Sequence, residues 1–261
     1  MLRPRIIPCL LVHKGGLVKT VHFVNPKYVG DPINAVKIFN EKEADEVIVV
    51  DIDASRTGAA PDFTLIERLA VECRMPLCYG GGVKTAEQAK RIIGLGVEKV
   101  AISSAAIERP EIIGEIAREI GSQSVAVVVD VRQEPGGDAY HAWTNNGTQR
   151  TGLLAFDVAR NAEARGAGEI VVNSIDRDGQ MKGYDMTLAQ GMREATSLPL
   201  TVLGGAGSLA DIASLIRTCG VVGAAAGSLF VFKGTYRAVL ISYPSHAQKD
   251  ELFRSALSPQ P

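Results

Sequence analysis

The chain repeats itself at long range. Pro76-Leu77-Cys78-Tyr79-Gly80-Gly81-Gly82 and Pro199-Leu200-Thr201-Val202-Leu203-Gly204-Gly205 lie 123 residues apart, and each ends an apolar run on consecutive glycines. Each is followed by a helix-length segment and a second short strand, Lys99 to Ser104 in one copy and Val222 to Ser228 in the other. Glycines where a strand meets a helix expose backbone N–H groups to an anion, and the helix dipole adds to the attraction. Two such cradles predict a ligand phosphorylated at both ends, or a site descended from one.

Strand-like runs near 5–12, 46–52, 76–80, 98–103, 124–130, 169–174, 199–203 and 221–226 alternate with helical patterns. Among the latter are Pro32 to Glu43, Phe63 to Glu72, Thr85 to Leu95, Pro110 to Ile120, Leu153 to Arg165 and Leu209 to Arg217. Continuous Val/Ile runs such as Val47 to Val50 suit strands buried on both faces of a parallel sheet. Eight β-α units in 261 residues predict an α/β fold, a (β/α)8 barrel, with an open doubly wound sheet as the alternative. No composition break divides the chain, so residues 1–261 are expected to form a single barrel. Its half-barrels span about 1–123 and 124–241, and 242–261 reads as a partly ordered C-terminal extension.

A net charge of −1 gives no reason to expect nucleic acid or an anionic membrane surface as partner. No run approaches a membrane span, and no apolar signal region opens the chain. Cys9, Cys73, Cys78 and Cys219 lack metal-binding spacing and read as reduced cysteines of a cytoplasmic protein. No metal or cofactor is expected.

Barrel active sites are built at C-terminal strand ends. Asp51, Asp53, Asp130, Asp176 and Asp178 cluster there, as candidate general acids or bases. For Asp53 and Asp176 helix capping or turn formation is the preferred reading, whereas Asp130 closes a five-residue apolar run and reads as functional. Laying the first strand over the fifth puts Leu11 over Asp130. Lys19, in the long segment after the first strand, suits phosphate; His13 and His22 beside it read as solvated loop residues. His141 and Trp143 fall in a turn-rich insertion read as a surface hairpin.

Arg5 to Leu10, Val18-Lys19, Gly30-Asp31-Pro32, Gly80-Gly81-Gly82, Gly121-Ser122-Gln123, Gly166 to Glu169 and Asp176-Arg177-Asp178-Gly179 run in order along the chain. Together they resemble the cyclase subunit of imidazole glycerol phosphate synthase, the HisF family, over about residues 3 to 237. The resemblance implies a lyase-class synthase subunit. A partner HisH-like glutaminase on the N-terminal barrel face would supply ammonia through the barrel to a bis-phosphorylated nucleotide at the top.

The resemblance assigns Arg5, Glu46, Lys99 and Glu169 to an ammonia gate, against the plainer reading of a structural salt-bridge ring. It assigns Asp130 to catalysis. Lys19, Asp51, Gly81, Gly82, Ser103, Ser104, Gln123, Asn173, Asp178, Gly179, Gly204, Gly205, Gly227 and Ser228 fall to substrate or phosphate binding. Leu11 stands where the family has its second catalytic carboxylate, and Leu203 where it has a small hydroxyl side chain.

Ile6 to Val12, Gly16 to Val21, Pro26 to Ala35, Asp51 to Arg56 and Gly227 to Phe232 resemble the WbuZ-type paralogues associated with glycosyl amidation, and an ammonia route kept beneath an altered top fits a repurposed paralogue. That likeness implies delivery of ammonia to an ATP-dependent sugar amidotransferase in surface-polysaccharide biosynthesis. A working histidine-pathway cyclase and a non-catalytic docking scaffold are the alternatives.

Overall fold

The computed structural model describes residues 3–257. Eight parallel strands close into a barrel: β1 (Arg5–His13), β2 (Val47–Asp51), β3 (Leu77–Gly80), β4 (Lys99–Ile102), β5 (Val125–Gln133), β6 (Glu169–Ser174), β7 (Leu200–Leu203) and β8 (Gly223–Ala226). Neighbours pair in chain order, and β8 returns to β1 with Gly223 opposite Arg5. The Val/Ile runs are buried on both faces because one face lines the barrel interior and the other packs under helices.

The longer helices are α1 (Pro32–Glu41), α2 (Phe63–Glu72), α3 (Ala86–Gly94), α4 (Glu111–Ile120), α5 (Ala155–Ala164), α6 (Met186–Ala195), α7 (Leu209–Cys219) and α8 (His246–Leu257). Six of their starts repeat at the 123-residue spacing, and four of these carry matching caps. Asp62 and Asp185 cap α2 and α6 by accepting from Leu65 N and Leu188 N. Thr85 with Gln88 and Ser208 with Asp211 form reciprocal capping boxes on α3 and α7. The repeat is therefore written into the local signals that start helices as well as into the apolar pattern.

Residues after β1 form an antiparallel hairpin, Gly16–Val21 with Val24–Gly30, where the sequence suggested a loop. Its counterpart in the second half is Tyr140–Thr144 with Gln149–Leu154, which continues the barrel sheet from the extended end of β5. The predicted surface hairpin is thus anchored at the mouth, with Trp143 opposite Asp130.

The tail also differs from the expected extension. Residues 246–257 form α8, which packs against α7 and buries Leu252, Phe253, Ala256 and even Lys249; residues 258–261 lie outside the described residues. Lys249 is only 1% exposed, and its ammonium donates to Asp45 Oδ1 at 2.7 Å and to the Glu43 carbonyl at 3.1 Å. Asp45 Oδ2 in turn accepts from Ile6 N, while Tyr243 donates its hydroxyl to the Ile6 carbonyl. A buried lysine paired in this way is tolerated where a lone one would not be. Among the described residues, no helix is long and apolar enough to cross a membrane.

Candidate functional site

At the N-terminal end of the barrel, Arg5, Glu46, Lys99 and Glu169 form a closed ring. Arg5 pairs with Glu46 and, at 2.7 Å, with Glu169; Lys99 bridges Glu46 at 3.0 Å and Glu169 at 2.8 Å. Thr201 donates its hydroxyl to Glu169 at 2.6 Å. Burial alone would push the Glu169 carboxyl up, but Arg5 and Lys99 outweigh it and hold it below its ordinary value. Two cations and two anions leave the ring without net charge.

Two residues further along the same strands, Ile7, Ile48, Ala101 and Val171 begin an apolar interior with Cys9, Cys78, Ala126 and Ala225. A cavity of about 330 Å³ opens at the C-terminal mouth and reaches down to Ile48, Ala101 and Val171. Its floor therefore lies one layer of side chains above the ring.

The ladder registers settle which residues are equivalent at the mouth. Leu11 pairs with Val50, and Asp130 with Asn173; Val50 and Asn173 are themselves repeat partners. Leu11 thus occupies the rung of Asp130 in the other half, and both line the cavity. Asp130 accepts from Asn173 Nδ2 at 3.0 Å and from Ser103 Oγ at 3.3 Å. Burial nevertheless pushes its carboxyl up to about 6, because desolvation outweighs these two bonds. No other carboxylate hydrogen-bonds to it among the described residues.

The mouth also gathers Lys19, Asp51, Gly81, Gly82, Ser103, Ser104, Asn173, Asp178, Gly179, Gly204, Gly205, Gly227 and Ser228. Close approach explains the glycines: a Cβ at Gly81 would lie 2.6 Å from the Asp51 carbonyl, and one at Gly204 2.6 Å from that of Ser174. Both adopt φ values above +90° that other residues rarely reach. Asp51 Oδ1 accepts from Asp53 N at 2.9 Å and from Ala54 N at 3.3 Å, which fixes the turn after β2.

Lys19 hangs from the hairpin over the mouth, buried, with its ammonium donating to the Cys9 carbonyl. Burial pulls its pKa down. The same hairpin is latched by Asp178, which accepts from Thr20 Oγ1 at 2.7 Å and Phe23 N at 3.1 Å. Phe23, with φ of 64°, lines the cavity at the hairpin tip.

Gln123 is a correction. It lies in a 3-10 turn two residues before β5 begins, exposed at the N-terminal face, on the far side of the barrel from the mouth. The two histidines are turn ties: His13 Nδ1 bonds Asp53 at 2.8 Å, and His22 Nδ1 meets the Ile175 carbonyl at 3.2 Å. Asp53 also accepts from Lys14 N, and Asp176 accepts from Gln133 N. Lys84, Arg109, Asn145 and Phe23 line the mouth without having been singled out from the sequence. Lys84 and Arg109 were within reach of the repeat spacing, because their counterparts, Gly207 and Phe232, are uncharged.

Residues 5–237 match the family of histidine biosynthesis proteins. The chain belongs to that family. A Leptospira interrogans protein provisionally designated imidazole glycerol phosphate synthase subunit HisF is 56% identical over 97% of this chain and all of its own length. A Vibrio vulnificus (strain YJ016) protein provisionally designated subunit hisF3 is 56% identical over 95% of this chain and 96% of its own. Exiguobacterium sibiricum imidazole glycerol phosphate synthase subunit HisF is 40% identical over 88% of this chain and 91% of that protein. Family membership spans the bottom ring, the interior and both glycine cradles alike.

Proposed function

We propose that this chain is a HisF-like barrel subunit that receives ammonia from a HisH-like glutaminase at its N-terminal face and releases it at the mouth. There it serves an ATP-dependent amidotransferase that forms an acetamidino group on a nucleotide sugar. The observation that carries this reading is the pairing of an intact charged ring with a mouth in which Leu11 faces Asp130. Leucine transfers no proton, and loss of one member of an acid–base pair costs about 10²- to 10⁴-fold. Asp130 leans on an amide and a hydroxyl, and neither is a substitute acid at neutral pH.

The bottom of the barrel supports conduction. Ammonia is small and neutral, so a ring without net charge followed by an apolar interior presents it with no charge to shed, whereas an ammonium ion would lose its hydration.

The deciding measurement is turnover of the bis-phosphorylated imidazole precursor with saturating ammonium, beside a Leu11→Asp variant. Ammonium bypasses the glutaminase and isolates the barrel's chemistry. Absent wild-type turnover, with a trace restored by Leu11→Asp, supports the reading. Robust wild-type turnover overturns it in favour of the histidine-pathway cyclase.

A further inference from the structure

The two cradles coincide in backbone and diverge in chemistry. Gly81 and Gly82 correspond to Gly204 and Gly205 at the 123-residue spacing, and both pairs hold left-handed φ values. β3 corresponds to β7 residue for residue, and α3 begins where α7 begins after the same shift. The side chains that differ then stand out. Lys84 and Arg109 at the first cradle become Gly207 and Phe232 at the second, Ser103 becomes Ala226, and Gly80 becomes Leu203.

These four differences remove a charge, a hydroxyl or open space from the second cradle, and a fifth runs the other way, since Ala105 becomes Ser228. Lys84, Ser103 and Arg109 all line the cavity at the first; Leu203 and Ala226 line it at the second. Phe232 is buried under Lys27, which sits 5.4 Å from its ring centroid. Lys19 is brought to the second cradle by the hairpin, beside Gly227, and the Cβ of Arg177 lies against Gly205. Its ammonium already donates to the Cys9 carbonyl and lies within the field of the buried Asp178.

At the first cradle Glu108 shares the rim, and Arg109 pairs with Glu115 at 2.6 Å. That pair is exposed and individually weak. A phosphate dianion offers the guanidinium a bidentate partner, and Lys84 and the Ser104 hydroxyl line the same rim.

We propose that the mouth takes a ligand phosphorylated at one end only, with that phosphate in the first cradle and an uncharged, partly apolar end against Leu203 in the second. The proposal goes beyond the function above and rests on the mouth being a ligand site. It makes the chain's ligand a monophosphate-ended sugar or nucleotide rather than a bis-phosphorylated one.

Calorimetric titration of the purified chain with ribulose 5-phosphate and ribulose 1,5-bisphosphate tests it. Wild type should bind the two within about threefold of each other. Lys84→Ala/Arg109→Ala, two exposed positions, should weaken both by about tenfold or more. Leu203→Ser should bind the bisphosphate about tenfold more tightly than the monophosphate. A wild-type preference for the bisphosphate of tenfold or more, unchanged binding in the double variant, or no binding of either sugar would overturn the proposal. The chain is titrated without ammonia or glutaminase, so these outcomes are independent of whether the barrel conducts.

Discussion

Asn173 donates its side-chain amide to Asp130 across adjacent strands at 3.0 Å, while its own carbonyl oxygen is buried without a partner. An ionised Asp130 dictates this orientation, since the reverse would set two oxygens against each other. The contact ties the most perturbed carboxylate of the mouth to the strand that supplies Glu169 of the ring.

That tie carries a pH signature. Burial raises the Asp130 carboxyl from 3.8 to about 6 in the fold, so between these values the native state holds more protons than the unfolded one. Its contribution therefore destabilises progressively as pH rises from about 4 to 6 and is constant above. Asp130→Asn should be more stable than wild type at pH 8 by up to about 3 kcal/mol, with the difference vanishing near pH 4. Urea denaturation of both proteins across this range measures it; equal midpoints at pH 8 would contradict the buried charge.

The ring responds differently. Lys99→Ala leaves Glu46 and Glu169, both nearly buried, sharing Arg5 alone. Removal of one partner from a buried pair costs about 3–5 kcal/mol, and here the loss should show as a lower denaturation midpoint at pH 8. In the glutaminase complex proposed above, the same variant should uncouple glutamine hydrolysis from ammonia use, read as free ammonia in the medium.

Lys249→Ala removes the cation from Asp45 and opens space beneath α8. We expect a loss of about 3 kcal/mol, together with proteolytic cleavage between residues 240 and 257 that wild type resists. A stable variant with an undigested tail would show that the ion pair is dispensable.

The duplicated helix caps give an internal comparison. Asp62→Ala should cost about 1 kcal/mol through the lost bond to Leu65 N. Asp185→Ala should cost more, because Asp185 Oδ1 also accepts the Tyr140 hydroxyl at 3.0 Å. Paired thermal melts of the two variants give the ranking.

The barrel was legible because its strands are continuous Val/Ile runs and its halves share spacing, so each weak signal occurred twice. The equivalence of Leu11 and Asp130, which are 119 residues apart, came from laying the first strand over the fifth, and the ladder registers place the two on matching rungs. Gln123 was misplaced by the family likeness, although its position two residues ahead of a barrel strand puts it at the N-terminal face on chain order alone. Nothing local announced α8 as a docked helix. Lys249 looks like a surface residue until Asp45, some two hundred positions earlier, is brought beside it. The Asn173–Asp130 contact likewise depends on strand register, which a linear reading does not contain.

The lock between β1 and the chain's far end has a consequence for biosynthesis. The amide and carbonyl of Ile6 are held by Asp45 and Tyr243, while Arg5 pairs in the sheet with Gly223. An emerging chain can assemble strands and helices as they leave the ribosome, yet the first strand keeps an open flank until Gly223 and Tyr243 have been made. Closure of the barrel therefore waits on residues more than two hundred positions downstream, and loss of Tyr243 would strike the first strand directly.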